Sequence, residues 1–231
     1  MLDYDNFEIL TFDCYGTLID WETGILNVLR PVLTERGVAV DDDQILETYA
    51  QIESAVKDGP YKPYRAVLSE VMVNMGRQFG FSPRPHEFTA LSDSLADWPP
   101  FEDTIAGLKK LKSKFQLGII SNIDDDLFAG SNKQLRVEFD YIITAEQVGA
   151  YKPDATVFKY ALDKIGLPKQ KILHVAQSLY HDHVPAQQLG LTTVWINRRG
   201  HKTGTGATPH AEATPDAEFP DLASLVKAVG L

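Results

Sequence analysis

Five short apolar runs alternate with segments of helical periodicity along this chain. Each run is rich in β-branched or aromatic residues and is bounded by turn-forming residues, which is typical of a buried strand. The runs are FEILTF (7–12), FQLGIIS (115–121), YIITA (141–145), KILHVA (171–176) and TTVWIN (192–197). Helical segments between successive strands favour a parallel sheet with right-handed crossovers and helices on both faces. The sequence therefore predicts an α/β fold with a Rossmann-like parallel sheet at its core.

One interval interrupts this alternation. Between the first two strands, about eighty residues show helical periodicity, and a segment of that length is too long to be a loop. We therefore expect an inserted helical cap domain at 21–98, and an α/β core domain formed by 1–20 and 99–231. The two crossings between these domains, at 20–21 and 98–100, are the predicted hinge.

Composition narrows the class of protein. A chain of 231 residues with 44% hydrophobic residues can bury a substantial core, and no run approaches the roughly 18 apolar residues of a membrane helix. The single cysteine, Cys14, excludes an internal disulfide, and the acidic N-terminal segment does not resemble a secretory signal. We expect a cytoplasmic protein with no membrane partner.

Its formal net charge of −10 argues against a nucleic-acid partner, because binding a phosphate backbone requires clustered Lys and Arg. Homodimer formation stays open.

Asp13 is the first candidate functional residue, because it directly follows the first predicted strand. In an open parallel sheet, ligands bind beyond the carboxyl ends of the strands. The next residues, 14–18, form a turn in which Gly16 permits a sharp bend and backbone N–H groups can stabilise an anion. A single loop aspartate is more often a turn or helix-capping residue. A functional role for Asp13 therefore needs further evidence from elsewhere in the chain.

That support comes from polar residues at the ends of later strands. Because the carboxyl ends of parallel strands share one edge of the sheet, we expect these side chains to face the same crevice as Asp13. They are Ser121 and Asn122 after the second strand, Lys152 in GAYKPD, and Ser178 and Asp182 in QSLYHD.

This ordered set resembles the haloacid dehalogenase superfamily, which combines a nucleophilic Asp in a DxxGT turn, a Ser or Thr, a Lys and a final acidic cluster. Phosphatases of that superfamily carry a second Asp, acting as general acid, where this chain has Tyr15. They also hold Mg²⁺ with an Asp where this chain has Gln177. A phenol with a pKa near 10 is a poor acid at neutral pH, and a neutral amide is a weaker ligand for a hard dication. The resemblance therefore implies a hydrolase that uses neither metal nor cofactor.

The motifs FDCYGTL, SN, YKPD and WINR look like those of the type II 2-haloacid dehalogenases. The longer runs FDCYGTLIDWETG, SNID, VEFDYIITAEQVGAYKP and SLYHDHVPA are similar to an azetidine-2-carboxylate hydrolase sub-branch. Both reactions displace a leaving group from the carbon next to a carboxylate, so the resemblance implies a small anionic carboxylic acid as substrate. The cap arginine that binds halide in the dehalogenases has no match in DDDQILETYAQIES (41–54). A Mg²⁺-dependent phosphatase and a catalytically silent small-anion binder remain as alternatives.

The resemblance also implies roles for individual residues. Asp13 is the expected nucleophile, which forms an ester with the substrate carbon, and Lys152 keeps its carboxylate ionised. Thr17 and Ser121 are expected to orient that carboxylate, and Asp182 to place or activate the hydrolytic water.

A second group of residues is predicted to bind the substrate. Its members are Tyr15, Trp21, Arg65, Asn122 and Ser178. For Arg65, the alternative is an ordinary position in the first turn of a helix. His181 and His183 flank Asp182, but they lack a third ligand at convincing spacing, so a polar role is favoured over a metal site.

Overall fold

The structure is a computed structural model that describes residues 2–200, 202 and 204–231. Its core is a six-stranded sheet in the order β3-β2-β1-β4-β5-β6, and every neighbouring pair is parallel. The strands are β1 (Ile9–Phe12), β2 (Gln116–Ser121), β3 (Tyr141–Thr144), β4 (Ile172–Ala176), β5 (Thr192–Ile196) and β6 (Ala217–Phe219). The α/β fold and its five predicted strands are confirmed. The sixth strand, β6, was not predicted, because three residues at a sheet edge show no periodicity.

Register in the sheet brings three strand ends to one level. Phe12, the last residue of β1, pairs with Ile119 of β2 on one side and with Val175 of β4 on the other. All four residues of β1 are buried, as expected of a central parallel strand with helices on both faces. The loops that follow β1, β2 and β4 therefore emerge side by side.

Four α-helices occupy the predicted cap segment, 21–98. They are α1 (Trp21–Glu35), α2 (Asp42–Lys57), α3 (Tyr64–Phe79) and α4 (Ala90–Ser94). Asp20 and Asp41 cap α1 and α2 by accepting hydrogen bonds from backbone N–H groups in the first turn. The helices contact one another in sequence, and their buried residues join a hydrophobic cluster that also contains Leu10 and Phe12 of the sheet. The domain boundaries at 20–21 and 98–99 stay a prediction.

The two connections at these boundaries are hydrogen-bonded to each other. Asp20 N donates to Pro99 O at 2.8 Å, and Ile19 forms an antiparallel bridge with Pro100. The entry to the cap and the exit from it therefore form one narrow double crossing.

The described residues form six further α-helices, of which α5 lies between the cap segment and β2 and the other five follow β2. They are α5 (Thr104–Lys112), α6 (Asp125–Leu135), α7 (Ala145–Val148), α8 (Ala155–Ile165), α9 (Val184–Gln188) and α10 (Leu222–Ala228), and a π-helical turn, Leu179–His183, lies before α9. Within the described part of the chain, no helix has the length and apolar character needed to cross a membrane.

Candidate active site

Lys152 links two carboxylates at the carboxyl edge of the sheet. Its Nζ donates to Asp13 Oδ1 at 2.9 Å, to Asp182 Oδ1 at 2.6 Å and to the carbonyl oxygen of Ile120 at 2.8 Å. The Lys152 side chain is only 1% exposed, so all three hydrogen bonds are shielded from water. The structure thus brings together three predicted residues from the loops after β1, β3 and β4.

Asn122 fixes the backbone of Lys152. Its Oδ1 accepts from Lys152 N at 2.7 Å, and its Nδ2 donates to Lys152 O at 3.0 Å. This paired contact ties the loop after β2 to the loop after β3. The predicted substrate-binding residue Asn122 therefore also positions the cation.

The second oxygen of Asp13 is held from its own turn. Thr17 Oγ1 donates to Asp13 Oδ2 at 2.7 Å, and the same hydroxyl accepts from Gln177 N at 2.9 Å. Gly16 has φ +93°, and a Cβ there would lie 2.8 Å from Trp21 Nε1, so the turn requires glycine. Sequence and turn geometry together fix the direction of the Asp13 carboxylate.

Asp182 lies in the π-helical turn after β4 and is fully buried. Besides Lys152, its Oδ1 is 3.0 Å from His174 Nε2, and His174 Nδ1 is 3.0 Å from Thr11 Oγ1. Among the described residues, its Oδ2 has no hydrogen-bond partner. A buried carboxylate oxygen with an open acceptor position is suited to hold a water molecule.

The two carboxylates differ in their pKa shifts. Burial raises the pKa of Asp13, and the nearby Asp182 charge adds to this, although Lys152 and Thr17 act in the opposite direction. Burial also acts to raise the pKa of Asp182, but Lys152 and His174 outweigh it and hold that pKa well below its usual range. For Lys152, burial acts to lower the pKa, while Asp13 and Asp182 outweigh burial and raise it. Lys152 is therefore a permanent cation in this site.

A small cavity of about 30 Å³ lies over these groups. Residues of both the predicted cap segment and the core segment line it, among them Glu53 and Lys57 from α2 and Asp13 from the turn after β1. Most predicted site residues line the cavity: Asp13, Tyr15, Trp21, Ser121, Asn122, Lys152, Ser178 and Asp182. Thr17 contacts the site through Asp13.

Three predicted residues lining the cavity show distinct environments. Ser121 Oγ is buried and has no hydrogen-bond partner among the described residues. Ser178 Oγ accepts from His181 N at 2.9 Å and lies 3.2 Å from His181 Nδ1. The Tyr15 hydroxyl is hydrogen-bonded to Ser131 Oγ at 2.8 Å, and burial raises the pKa of Tyr15 well above its ordinary value. Tyr15 is therefore unsuited to donate a proton at neutral pH.

The structure does not bring Arg65 to the cavity. The guanidinium pairs with Asp126 and lies 3.9 Å from Asp124, and about half of the side chain is exposed. Arg65 is one position beyond Tyr64, which does line the cavity, so the helical rotation of about 100° turns Arg65 to the surface.

The cap supplies two charged residues that the sequence analysis missed, Glu53 and Lys57. They lie one turn apart on α2, with Lys57 Nζ 2.8 Å from Glu53 Oε2. Tyr64 OH donates to Glu53 Oε1 at 3.2 Å, and Lys57 Nζ is 3.3 Å from His181 Nε2. Their i,i+4 spacing is a readable signal for a helical ion pair, but the sequence does not tell which face of α2 meets the crevice.

The residues present do not fit a bound Mg²⁺ ion. Lys152 places a positive charge against both Asp13 and Asp182, and Gln177 Oε1 accepts a hydrogen bond from Thr208 at 3.2 Å. In the described ranges, no cluster of three or more His, Cys, Asp or Glu side chains is arranged to hold a metal. Independence from metal stays a prediction.

Comparison with known proteins gives one family match. The family model for haloacid dehalogenase-like hydrolases matches residues 10–196. An (S)-2-haloacid dehalogenase from Pseudomonas putida is 28% identical over 229 residues, and the alignment covers 95% of each chain. Another, from Pseudomonas sp. strain YL, is 28% identical over 216 residues and 91% of each chain.

Solved structures of similar fold cover nearly the whole chain. The L-2-haloacid dehalogenase of Xanthobacter autotrophicus with chloropropionic acid covalently bound has a TM-score of 0.79 and 18% identity, over 97% of this chain and 98% of that one. A dehalogenase with an intermediate complex has a TM-score of 0.82 and 20% identity, over 100% of both chains. At these identities, the likeness supports the fold.

Proposed function

Because this chain belongs to the haloacid dehalogenase-like hydrolase family, we propose that it displaces a leaving group from the α-carbon of a small carboxylic acid through an Asp13 ester. One observation carries the proposal: the buried Asp13 carboxylate lines a small cavity, and its two oxygens are held by Lys152 and Thr17. The proposal places the reaction in the cytoplasm, with no nucleic-acid or membrane partner.

In the first step, an Asp13 oxygen attacks the α-carbon from the side opposite the leaving group. The new C–O bond forms as the bond to the leaving group breaks, and the leaving group departs with the bonding electrons. The substrate carboxylate needs a hydrogen-bond donor, and the buried Ser121 hydroxyl is free to donate to it. Lys152 keeps Asp13 ionised before attack.

In the second step, water attacks the carbonyl carbon of the Asp13 ester. The bond between that carbonyl carbon and the ester oxygen then breaks, and the departing hydroxy acid keeps the oxygen from Asp13 and takes one proton of the water. The water oxygen remains in the Asp13 carboxylate, and the second proton is released to solvent. The Oδ2 atom of Asp182, which has no hydrogen-bond partner in the described part of the chain, supports a role in orienting this water. A carboxylate whose pKa is held low is a weak base, so we assign Asp182 to positioning the water rather than to storing its proton.

Halide is the first candidate leaving group. Several curated relatives that align over more than nine-tenths of the chain are named (S)-2-haloacid dehalogenases, which supports this choice.

A ring amine is the second candidate leaving group, as in azetidine-2-carboxylate ring opening. The described residues that line the cavity include no arginine to receive a halide, and they include the carboxylate of Glu53 instead. A carboxylate repels a halide ion and attracts an ammonium group.

A substrate panel tests this proposal. Purified protein is assayed with 2-chloropropionate, azetidine-2-carboxylate and phosphate esters, each with and without excess EDTA. We expect turnover of an α-substituted acid that persists in EDTA. Phosphate release that is lost in EDTA and restored by Mg²⁺ would establish the phosphatase alternative, and no turnover of any α-substituted acid would contradict the proposal.

A further inference from the structure

Glu53 and Lys57 form a buried ion pair on α2. Both line the cavity with Asp13, and their side chains are 4% and 6% exposed. An i,i+4 pair on a helix surface normally stays in solvent and adds little stability. Burying both charges instead carries a desolvation cost that their mutual attraction often fails to offset. Placement of this pair against the reacting groups therefore suggests a role in binding.

The cavity carries an excess of negative charge. Three carboxylates line it, from Asp13, Glu53 and Asp182, against two ammonium groups, from Lys57 and Lys152. His181 adds no charge near pH 7, because burial, reinforced by Lys57, lowers its pKa well below its usual range. A simple haloacid anion would bring a further negative charge into this cavity. A substrate that also carries a cation would not increase the imbalance.

Glu53 has room for another hydrogen-bond donor. Its Oε1 accepts from Tyr64 and its Oε2 from Lys57. An ionised carboxylate offers about four acceptor positions, so two partners leave capacity for a substrate N–H. Tyr64 is held in turn by Tyr49, with 3.4 Å between the hydroxyl oxygens, and its backbone N donates to Asp124 at 2.7 Å. Glu53 is therefore anchored by groups that need not move when a ligand binds.

We propose that Glu53 binds a cationic amino group of the substrate, so that the enzyme selects small α-substituted carboxylic acids that also carry an amine. This inference rests on the proposed function. It concerns recognition and applies whether the leaving group is a halide or the amine of a strained ring. Lys57 and Tyr64 act as positioning residues for Glu53.

A matched pair of substrates tests the proposal without any mutation. The pair is 2-chlorobutanoate and 4-amino-2-chlorobutanoate, which share the leaving group and the carbon chain. Chloride release is measured near neutral pH, and the enzyme-free rate is subtracted because the amine can displace chloride by itself. We expect kcat/KM to be roughly tenfold to a hundredfold higher for 4-amino-2-chlorobutanoate, because a hydrogen bond to a charged group contributes about that factor. Equal values, or a preference for 2-chlorobutanoate, would overturn the proposal.

The variant Glu53→Gln tests whether Glu53 is the source of the preference for the amino-substituted substrate. It should lower the ratio of kcat/KM for 4-amino-2-chlorobutanoate to kcat/KM for 2-chlorobutanoate by roughly tenfold or more. Glu87→Gln is the matched control, because Glu87 is another buried cap glutamate, paired with Arg36 and absent from the cavity lining. It should change both substrates by the same small factor.

The outcomes separate this inference from the proposed function. An equal loss on both substrates in Glu53→Gln would show a structural role and refute the inference, while hydrolysis through Asp13 would stand. If the wild-type enzyme turned over neither chloro acid nor azetidine-2-carboxylate, the proposed function would fail and the inference with it. If Glu53→Gln did not fold, the comparison of the two substrates with the wild-type enzyme would still show whether an amino group is preferred.

Discussion

The core side of the cavity and its cap side hold their charged groups in different ways. On the core side, Asp13 and Lys152 are fixed by the backbone at strand ends, through the Thr17 turn and the paired amide of Asn122. On the cap side, Glu53 and Lys57 project from α2 and are held mainly by each other and by Tyr64. A sheet edge thus supports the groups proposed to make and break bonds, whereas a helix of the predicted cap domain supports the groups proposed for recognition. Changes on the two sides should therefore have different kinetic effects.

Asp13→Asn should have the largest effect. Asn keeps the shape of the side chain but cannot attack the α-carbon, so kcat should fall by at least about 10⁴-fold on every substrate. Chloride release from 2-chloropropionate measures this, with circular dichroism to verify the fold. Asp154→Asn is the control, because Asp154 caps α8 close to Lys152 without lining the cavity. Turnover by Asp13→Asn within tenfold of wild type would exclude Asp13 as the nucleophile.

Lys152→Met should be the next most damaging change. Without the ammonium group, Asp13 loses its countercharge and its hydrogen bond at 2.9 Å, and we expect a loss of about 10³-fold in kcat/KM. Because Lys152 lowers the pKa of Asp13, its removal should move the acid limb of the pH profile to higher pH. A uniform loss with an unchanged limb would instead indicate a purely structural role for Lys152.

The acid limb of the wild-type enzyme offers a test without mutation. The nucleophile must be ionised, so kcat/KM falls as the pH drops through the pKa of Asp13. Burial raises that pKa, so the limb should lie above the value of about 3.9 that is usual for Asp. Stopped assays between about pH 3 and 8 measure it, with reactivation at neutral pH to exclude unfolding. A limb below the usual Asp value would contradict the pKa direction.

Ser121→Ala should have a moderate effect that is the same for all carboxylic acids. The Ser121 hydroxyl is buried, has no hydrogen-bond partner among the described residues and is proposed to donate to the substrate carboxylate. Loss of a hydrogen bond to a charged group should lower the affinity for substrate by roughly tenfold to a hundredfold. Most of the change should appear in KM. An unaltered KM would assign the hydroxyl to another role. In contrast to Glu53→Gln, this core variant should not change the ratio between amino and non-amino substrates.

Arg65→Ala should have the smallest effect. The side chain is about half exposed and pairs with acidic residues outside the cavity, so kcat/KM should stay within about twofold of wild type. The sequence predicts that Arg65 binds substrate, and a tenfold or greater increase in KM would support that prediction against the observed position of the side chain.

The sequence predicts the core side of the cavity better than the cap side. Strand runs and the βα order determine where strand ends meet, so Asp13, Ser121 and Lys152 could be assigned to one crevice from their positions alone. The face that a cap helix turns inward depends on packing between elements, which periodicity does not reveal. A difference of one residue, from Tyr64 to Arg65, moves a side chain from the cavity to the surface. For the same reason, Glu53 was not distinguished from other helical acids.

Isotope incorporation at Asp13 tests the central claim most directly. The enzyme, in molar excess over substrate, completes one turnover in H₂¹⁸O, and the peptide that contains Asp13 is then analysed by mass spectrometry. The ester mechanism predicts ¹⁸O in the Asp13 carboxylate and unlabelled oxygen in the first-turnover product, because water attacks the ester carbonyl. Label in the product, with Asp13 unlabelled, would contradict covalent catalysis and leave Asp13 at most a general base.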